Sequence, residues 1–254
     1  MTIAPRPRTL GGWLMIPDPI VVEAAGRAGF DWVGIDLQHG TWDLELAFRG
    51  IQLLDALGSP VLVRLAQEEL ALMPRLLDHG ASGVVIAMVS SATAVADALD
   101  AARYQPVGRR SYGGQRYGLR PEPSDLTSVR PAVFAMIEDR RGVETLDAIA
   151  AVPGLAGLHV GPVDLGLGLA IGRDRSVPIF AESVSRIRDV GHSHGLPVTM
   201  HAVQGADAAV WFDSGWDEVV LPADIDLLRS GLATQIAAAR GVEAPEAPKA
   251  YGSS

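Results

Sequence analysis

A (β/α)8 barrel is the fold class that this sequence predicts, and three observations point to it. Eight short apolar runs of strand type recur along the chain, with helical patterns between them. The 254 residues match what one such barrel needs. No Gly-x-Gly-x-x-Gly follows the first run, so a dinucleotide-binding open sheet lacks its main marker. An open doubly wound sheet with one strand fewer is the alternative.

Taken in order, a first strand over 11–16 leads to a helix over 18–28, and the second strand spans 31–36. Leu44, Ala47, Ile51 and Leu54 recur at helical spacing within 43–57, and Gly58 is placed to stop that helix. A strand over 60–64, a helix over 68–79, a strand over 82–88 and a helix over 90–103 follow. The second half repeats the rhythm with strands at 132–138, 156–160, 196–201 and 217–221. Their helices are expected at 139–151, 177–194, 203–214 and 224–240. Ala28-Gly29-Phe30-Asp31, Asp78-His79-Gly80-Ala81 and the Gly195 that follows His192-Ser193-His194 supply helix-stopping glycines. Two segments break the pattern: a Gly/Arg/Tyr-rich connection over 103–125 and a tail over 241–254 that reads as flexible. The expected organisation is one barrel domain over 1–240 plus that tail.

Composition excludes several classes of function. A net charge of −9 gives no basic field for nucleic acid or anionic lipid. Hydrophobic residues make up 48%, enough for a core, yet no apolar run reaches the roughly 18 residues of a membrane helix. With no signal-peptide pattern at the N-terminus, a cytoplasmic protein is expected. Cysteine is absent, which removes disulfides, thiolate nucleophiles and thiolate metal sites. Lys249, in the tail, is the only lysine, so the chain offers no pocket lysine for a Schiff base or for pyridoxal phosphate, and no organic cofactor is expected.

Four of the strand runs end in polar or ionisable groups: Asp36 with His39, Arg64, Glu138, and Asp164 reached through Gly161-Pro162-Val163. In a parallel barrel these ends converge on one face. Glu138 and Asp164 suit a hard divalent cation such as Mg2+ or Mn2+. The competing reading of both is helix capping at strand-to-helix turns. A Gly-Pro turn before a helix also leaves the amides of Val163 and Asp164 pointing outward, where they suit a carboxylate or phosphate; an ordinary tight turn is the competing reading. His39 is a candidate general base, and Asp36 a group to fix its tautomer. Arg64 would hold a carboxylate or stabilise an enolate oxygen, unless it only pairs with a loop acid. His201 closes the seventh strand without an obvious partner, and His159 lies within the sixth. The arginines of 103–120 either clamp a phosphate or ride on a solvated, mobile loop. Trp13, Trp42, Trp211 and Trp216 read as core or interface residues.

In order along the chain, several motifs resemble the HpcH/HpaI aldolase family, the metal-dependent class II pyruvate aldolases. They are Ala-Gly-Phe-Asp-Trp at 28–32, Asp-x-x-His at 36–39, Val-x-Val-Arg at 61–64 and Leu-Leu-Asp-x-Gly at 76–80. Arg-Tyr-x-Pro-x-Gly-x-Arg at 103–110, Ile-Glu at 137–138 and Gly-Pro-x-Asp-Leu at 161–165 complete the set. The resemblance implies a (β/α)8 (TIM) barrel that assembles as a homo-hexamer and exchanges its last helix between neighbours. It implies Mg2+, Mn2+ or Co2+ held by Glu138 and Asp164, and a pyruvate carboxylate bound at Gly161, Pro162 and the amides of Val163 and Asp164. Arg64 would stabilise the enolate, and His39 would act as base together with a water on the metal. Asp78 matches a family aspartate that reaches the neighbouring subunit's site near His39. The implied reaction joins a pyruvate enolate to an aldehyde, or cleaves a 4-hydroxy-2-oxo acid in reverse.

The chain departs from the family pattern at four places. Gln38 stands where glutamate is common and Met136 where glutamine is; Gly166 replaces a serine and Pro222 a glycine. Two alternatives accompany the aldolase reading. One is a CoA-ester lyase of the citrate lyase β or malyl-CoA lyase type. The other, motivated by Gln38 and Met136, is a catalytically silent barrel that binds a 2-oxo acid.

Overall fold

The computed structural model describes residues 8–119 and 125–243. Eight parallel strands close into a barrel in chain order: β1 (Thr9–Leu14), β2 (Trp32–Asp36), β3 (Val61–Leu65), β4 (Gly83–Ile86), β5 (Ala132–Ile137), β6 (Gly157–Val160), β7 (Val198–His201) and β8 (Glu218–Val220). The pairing of β1 with β8, Thr9 opposite Glu218 and Gly11 opposite Val220, removes the open-sheet alternative. Around the strands lie α1 (Pro19–Arg27), α2 (Leu44–Ala56), α3 (Met73–Asp78), α4 (Ala92–Ala102), α5 (Arg140–Glu144), α6 (Leu146–Ala150), α7 (Pro162–Gly168), α8 (Pro178–Ser193), α9 (Asp207–Asp213) and α10 (Asp224–Arg240). No helix among the described residues is long and apolar enough to cross a membrane.

Side-chain alternation along each strand sorts residues into two cores. Outward residues such as Val33, Ile35, Val61 and Val63 pack against the helices, where Ala47, Ile51 and Leu54 of α2 are fully buried. Each valine, leucine or isoleucine among them contributes about 1.5–3 kcal/mol of burial. Inward residues, among them Trp13, Trp32, Leu62, Val85, Phe134, Met136 and Val220, fill the barrel. Indoles fit there only because a glycine faces each one. A Cβ on Gly34 would lie 2.5 Å from the Trp13 ring, and one on Gly11 would lie 2.5 Å from Trp32.

Several expectations shift for local reasons. The first strand ends two residues earlier than expected because the amides of Met15 and Ile16 donate to the Asp224 carboxylate at 2.9 and 3.0 Å instead of continuing the ladder. It starts two residues earlier because Thr9 and Leu10 pair with Glu218 and Val219 of β8. The helix expected over 68–79 opens as a 3-10 helix, Gln67–Leu72, before α3. That over 139–151 breaks at Thr145, whose hydroxyl donates to Ser90 O. A short helix, α7, stands before the one expected at 177–194. The connection after α4 is pinned by ion pairs although many of its described residues are exposed: Arg110 pairs with Asp78 at 2.6 Å and Arg116 with Asp55 at 3.0 Å. Arg109 lies 3.3 Å from Asp100. For Arg110 and Arg116 these pairings replace the phosphate-clamp reading, since each guanidinium already meets a carboxylate away from the solvent. Residues 120–124 of that connection, and the tail from residue 244 onward, lie outside the described residues.

Candidate active site

Asp36 and Arg64 are neighbours in register on β2 and β3 and both point into the barrel mouth. The guanidinium grips the carboxylate with two prongs: Nε donates to Oδ1 at 2.9 Å and Nη2 to Oδ2. Trp13 Nε1 adds a bond to Oδ2 at 3.2 Å, and the main-chain N–H of His39 donates to Oδ1 at 3.0 Å. Burial alone would push Asp36 up, but the hydrogen bond and charge of Arg64, with those two N–H groups, hold it below the usual carboxylate range. The expectation that Asp36 fixes the His39 tautomer needs correction. Its contact is with the main chain of His39, so it shapes the turn that presents the imidazole. Gly40 completes that turn, since a Cβ there would lie 2.4 Å from Asp36 O.

Glu138 follows β5, and the helix-capping alternative for it fails. Asp139 caps α5, accepting from Gly142 N at 2.6 Å. Glu138 instead faces the cavity while its Oε2 accepts from Met88 N at 2.7 Å. Burial pushes its pKa up to about 7; the Met88 N–H and Arg64 oppose the rise, and the negative charges of Asp164 and Asp36 add to it. Gly161 admits this side chain, because a Cβ there would lie 2.0 Å from Glu138 Oε1. Gly161 also caps α7, with Pro162 at the first helical position. Leu165 N donates to Gly161 O at 2.9 Å, so the amides of Val163 and Asp164 precede the helical ladder. Asp164 is the third residue of α7 and not its cap.

A cavity of about 260 Å³ joins these groups, lined by Asp36, His39, Arg64, Met136, Glu138, the segment from Gly161 to Asp164, and also Trp13, Met15 and His201. The donor set fits a hard divalent cation. Arg64 is matched by Asp36, which leaves Glu138 and Asp164 as two carboxylates without a second cation among the lining residues. Among the described residues no three His, Cys, Asp or Glu side chains form a closed metal cage. Two carboxylates plus water and substrate oxygens are the usual Mg2+ arrangement.

Two further histidines belong to this floor. His159 and His201 approach Nε2 to Nε2 at 2.6 Å beneath the Trp13 ring. Burial holds His201 down to about 3 and His159 well below its ordinary range, so both are neutral near pH 7. The alternation of β6 and β7 is the signal that would have paired them. Asp78, by contrast, lies outside the cavity, in its pair with Arg110.

The C-terminal mouth of a parallel barrel is where such enzymes hold their catalytic groups, which places this chain among the (β/α)8-barrel enzymes. Within that class it belongs to the HpcH/HpaI aldolase/citrate lyase family, whose family model matches residues 10–210. It is 30% identical to a 5-keto-4-deoxy-D-glucarate aldolase of Klebsiella pneumoniae, over 87% of this chain and 88% of that one. Among solved structures it resembles an HpcH/HpaI aldolase/citrate lyase family protein from Burkholderia cenocepacia. That match has 26% identity and a TM-score of 0.83, and covers 92% of this chain and 95% of that one. A citrate synthase, SbnG, matches with the same identity and TM-score, over 92% and 94% of the two chains.

Proposed function

We propose that the chain is a metal-dependent aldolase that joins pyruvate to an aldehyde and cleaves 4-hydroxy-2-oxo acids in the reverse direction. The observation that carries this reading is the meeting of Glu138, Asp164 and the Asp36–Arg64 pair in one small cavity beside the α7 amides. The relatives' names, aldolases of a deoxy-keto sugar acid, agree with a 2-oxo acid as the group handled.

Glu138 and Asp164 would hold the divalent cation, which supplies Lewis-acid polarisation of the 2-oxo group. The amides of Val163 and Asp164 receive the substrate carboxylate. Arg64 meets the negative charge that develops on the oxygen; such a preorganised donor is worth roughly 3–4 kcal/mol in the barrier. Its Nη1 lies 3.9 Å from the thioether of Met136, a weak acceptor that an oxyanion would displace. His39, exposed at the cavity rim, takes the methyl proton in the condensation direction and the hydroxyl proton in cleavage. The finer parts of the reading are Mg2+, Mn2+ or Co2+ as the metal, a cytoplasmic location, and a homo-hexamer in which Asp78 serves the neighbouring site.

The test is NMR of pyruvate methyl deuterium exchange in D2O, with chelator-treated protein and each metal added back. Exchange that depends on metal supports the aldolase. No exchange with any metal would move the assignment to a CoA-ester lyase or to a silent 2-oxo-acid-binding barrel.

A further inference from the structure

The turn after β4 contains a residue with a backbone conformation that L side chains rarely adopt. Met88 has φ +54° and is not a glycine. On one side of it Ala87 N donates to Leu65 O at 2.9 Å, and on the other Val89 N donates to Met136 O at 3.0 Å. The turn therefore spans the barrel rim from β3, which carries Arg64, to β5, which Glu138 follows. The left-handed conformation aims the Met88 N–H at Glu138 Oε2. It also brings the carbonyls of residues 87 and 88 together, and one side-chain amide holds both: Gln67 Nε2 donates to Met88 O at 2.7 Å and to Ala87 O at 3.3 Å. Two bonds from one group to the carbonyls flanking Met88 fix the torsions between them. Gln67 itself is anchored, because it opens the 3-10 helix that follows β3.

We infer that Gln67 is a positioning residue: it locks Met88 in the left-handed conformation and so orients the Glu138 carboxylate for metal binding. This rests on the reading of Glu138 as a metal ligand. Groups that orient a ligand in this way are worth about 10–100-fold in metal affinity. Gln67 is not among the residues that line the cavity, so its effect should be legible in metal binding without turnover.

The experiment is titration of the metal-free protein with Mn2+, read by the loss of the free-ion EPR signal. Gln67→Leu keeps the size and removes the donor, and is expected to weaken Mn2+ binding about tenfold or more. Adding Met88→Gly to that variant is expected to restore most of the affinity, since glycine adopts the left-handed conformation without a brace. A general loss of structure would not be rescued in this way. Unchanged Mn2+ affinity in Gln67→Leu, or a loss that Met88→Gly leaves in place, overturns the inference. Absence of Mn2+ binding by the unmodified protein is a separate result. It overturns the metal reading of Glu138, and with it any ligand for Gln67 to orient.

Discussion

At the residue scale, the site is a problem in burying charge. Asp36 is fully buried and Arg64 nearly so, and each is tolerable only because the other is present. Replacing Arg64 by methionine leaves the Asp36 carboxylate with two N–H partners and no cation. The expected cost is roughly 3–5 kcal/mol in urea unfolding; a change below about 1 kcal/mol would show that the pair is not the structural unit described here. Glu138 poses the opposite case. Its carboxyl is raised from 4.5 to about 7, so the folded, metal-free protein binds its proton more tightly than the unfolded chain does. That stabilising contribution is complete below pH 4.5 and is lost as pH rises through about 7, up to about 3 kcal/mol in all. Melting temperatures of the metal-free protein should therefore fall, relative to Glu138→Gln, between pH 5 and pH 8. Parallel profiles for the two proteins would refute the raised carboxyl. His39 has no such structural burden, being exposed. His39→Ala should abolish most aldol cleavage while the melting temperature stays within a few degrees, and near-normal turnover would remove it from the mechanism.

At the scale of elements, the eight strands were legible because strands buried on both faces read as short continuous apolar runs, set apart by glycine-stopped helices. What was not legible came from single long-range bonds. Asp224 draws Met15 and Ile16 out of β1 across more than 200 positions of sequence, which no local pattern can report. The four polar strand ends were readable as a convergent set, since a parallel barrel brings every C-terminal strand end to one face. The roles within the set were not readable, because they depend on which atom is reached. Asp36 was close to His39 in sequence, yet its oxygens go to Arg64, to Trp13 and to the main-chain N–H of His39. The His159–His201 pair was missed although both residues occupy inward positions of adjacent strands. Its effect on β6 and β7 is measurable. Both imidazoles are held neutral, His201 near 3, so the unfolded chain takes up protons first as pH falls below 6.5. The stability they contribute is intact above that pH and declines from 6.5 towards 3. Replacing them by phenylalanine and leucine together should flatten the acid side of a urea-midpoint profile, and an unchanged slope would mean that the pair titrates normally.

For the whole molecule, the unbalanced element is α10. Within it only Ala237 is buried, while Leu227, Leu228, Leu232 and Ile236 are about half exposed. Leu228, Leu232 and Ile236 follow one another at four-residue spacing, so they form a single apolar stripe along the helix. Three aliphatic side chains left half in water forgo about 1 kcal/mol each of the burial they would gain against a partner. A second copy would offer that partner, and a helix exchanged between neighbours would bury the stripe without opening the barrel. The expected outcome is a protein that self-associates, with a melting temperature that rises with its concentration. Leu228→Glu with Leu232→Glu places two charges in the stripe. Light scattering after size exclusion should then show a smaller species, with a melting temperature that no longer depends on concentration. A parent protein that remains monomeric at tens of micromolar would defeat the exchange, because the exposed stripe would then have no copy of the chain to cover it.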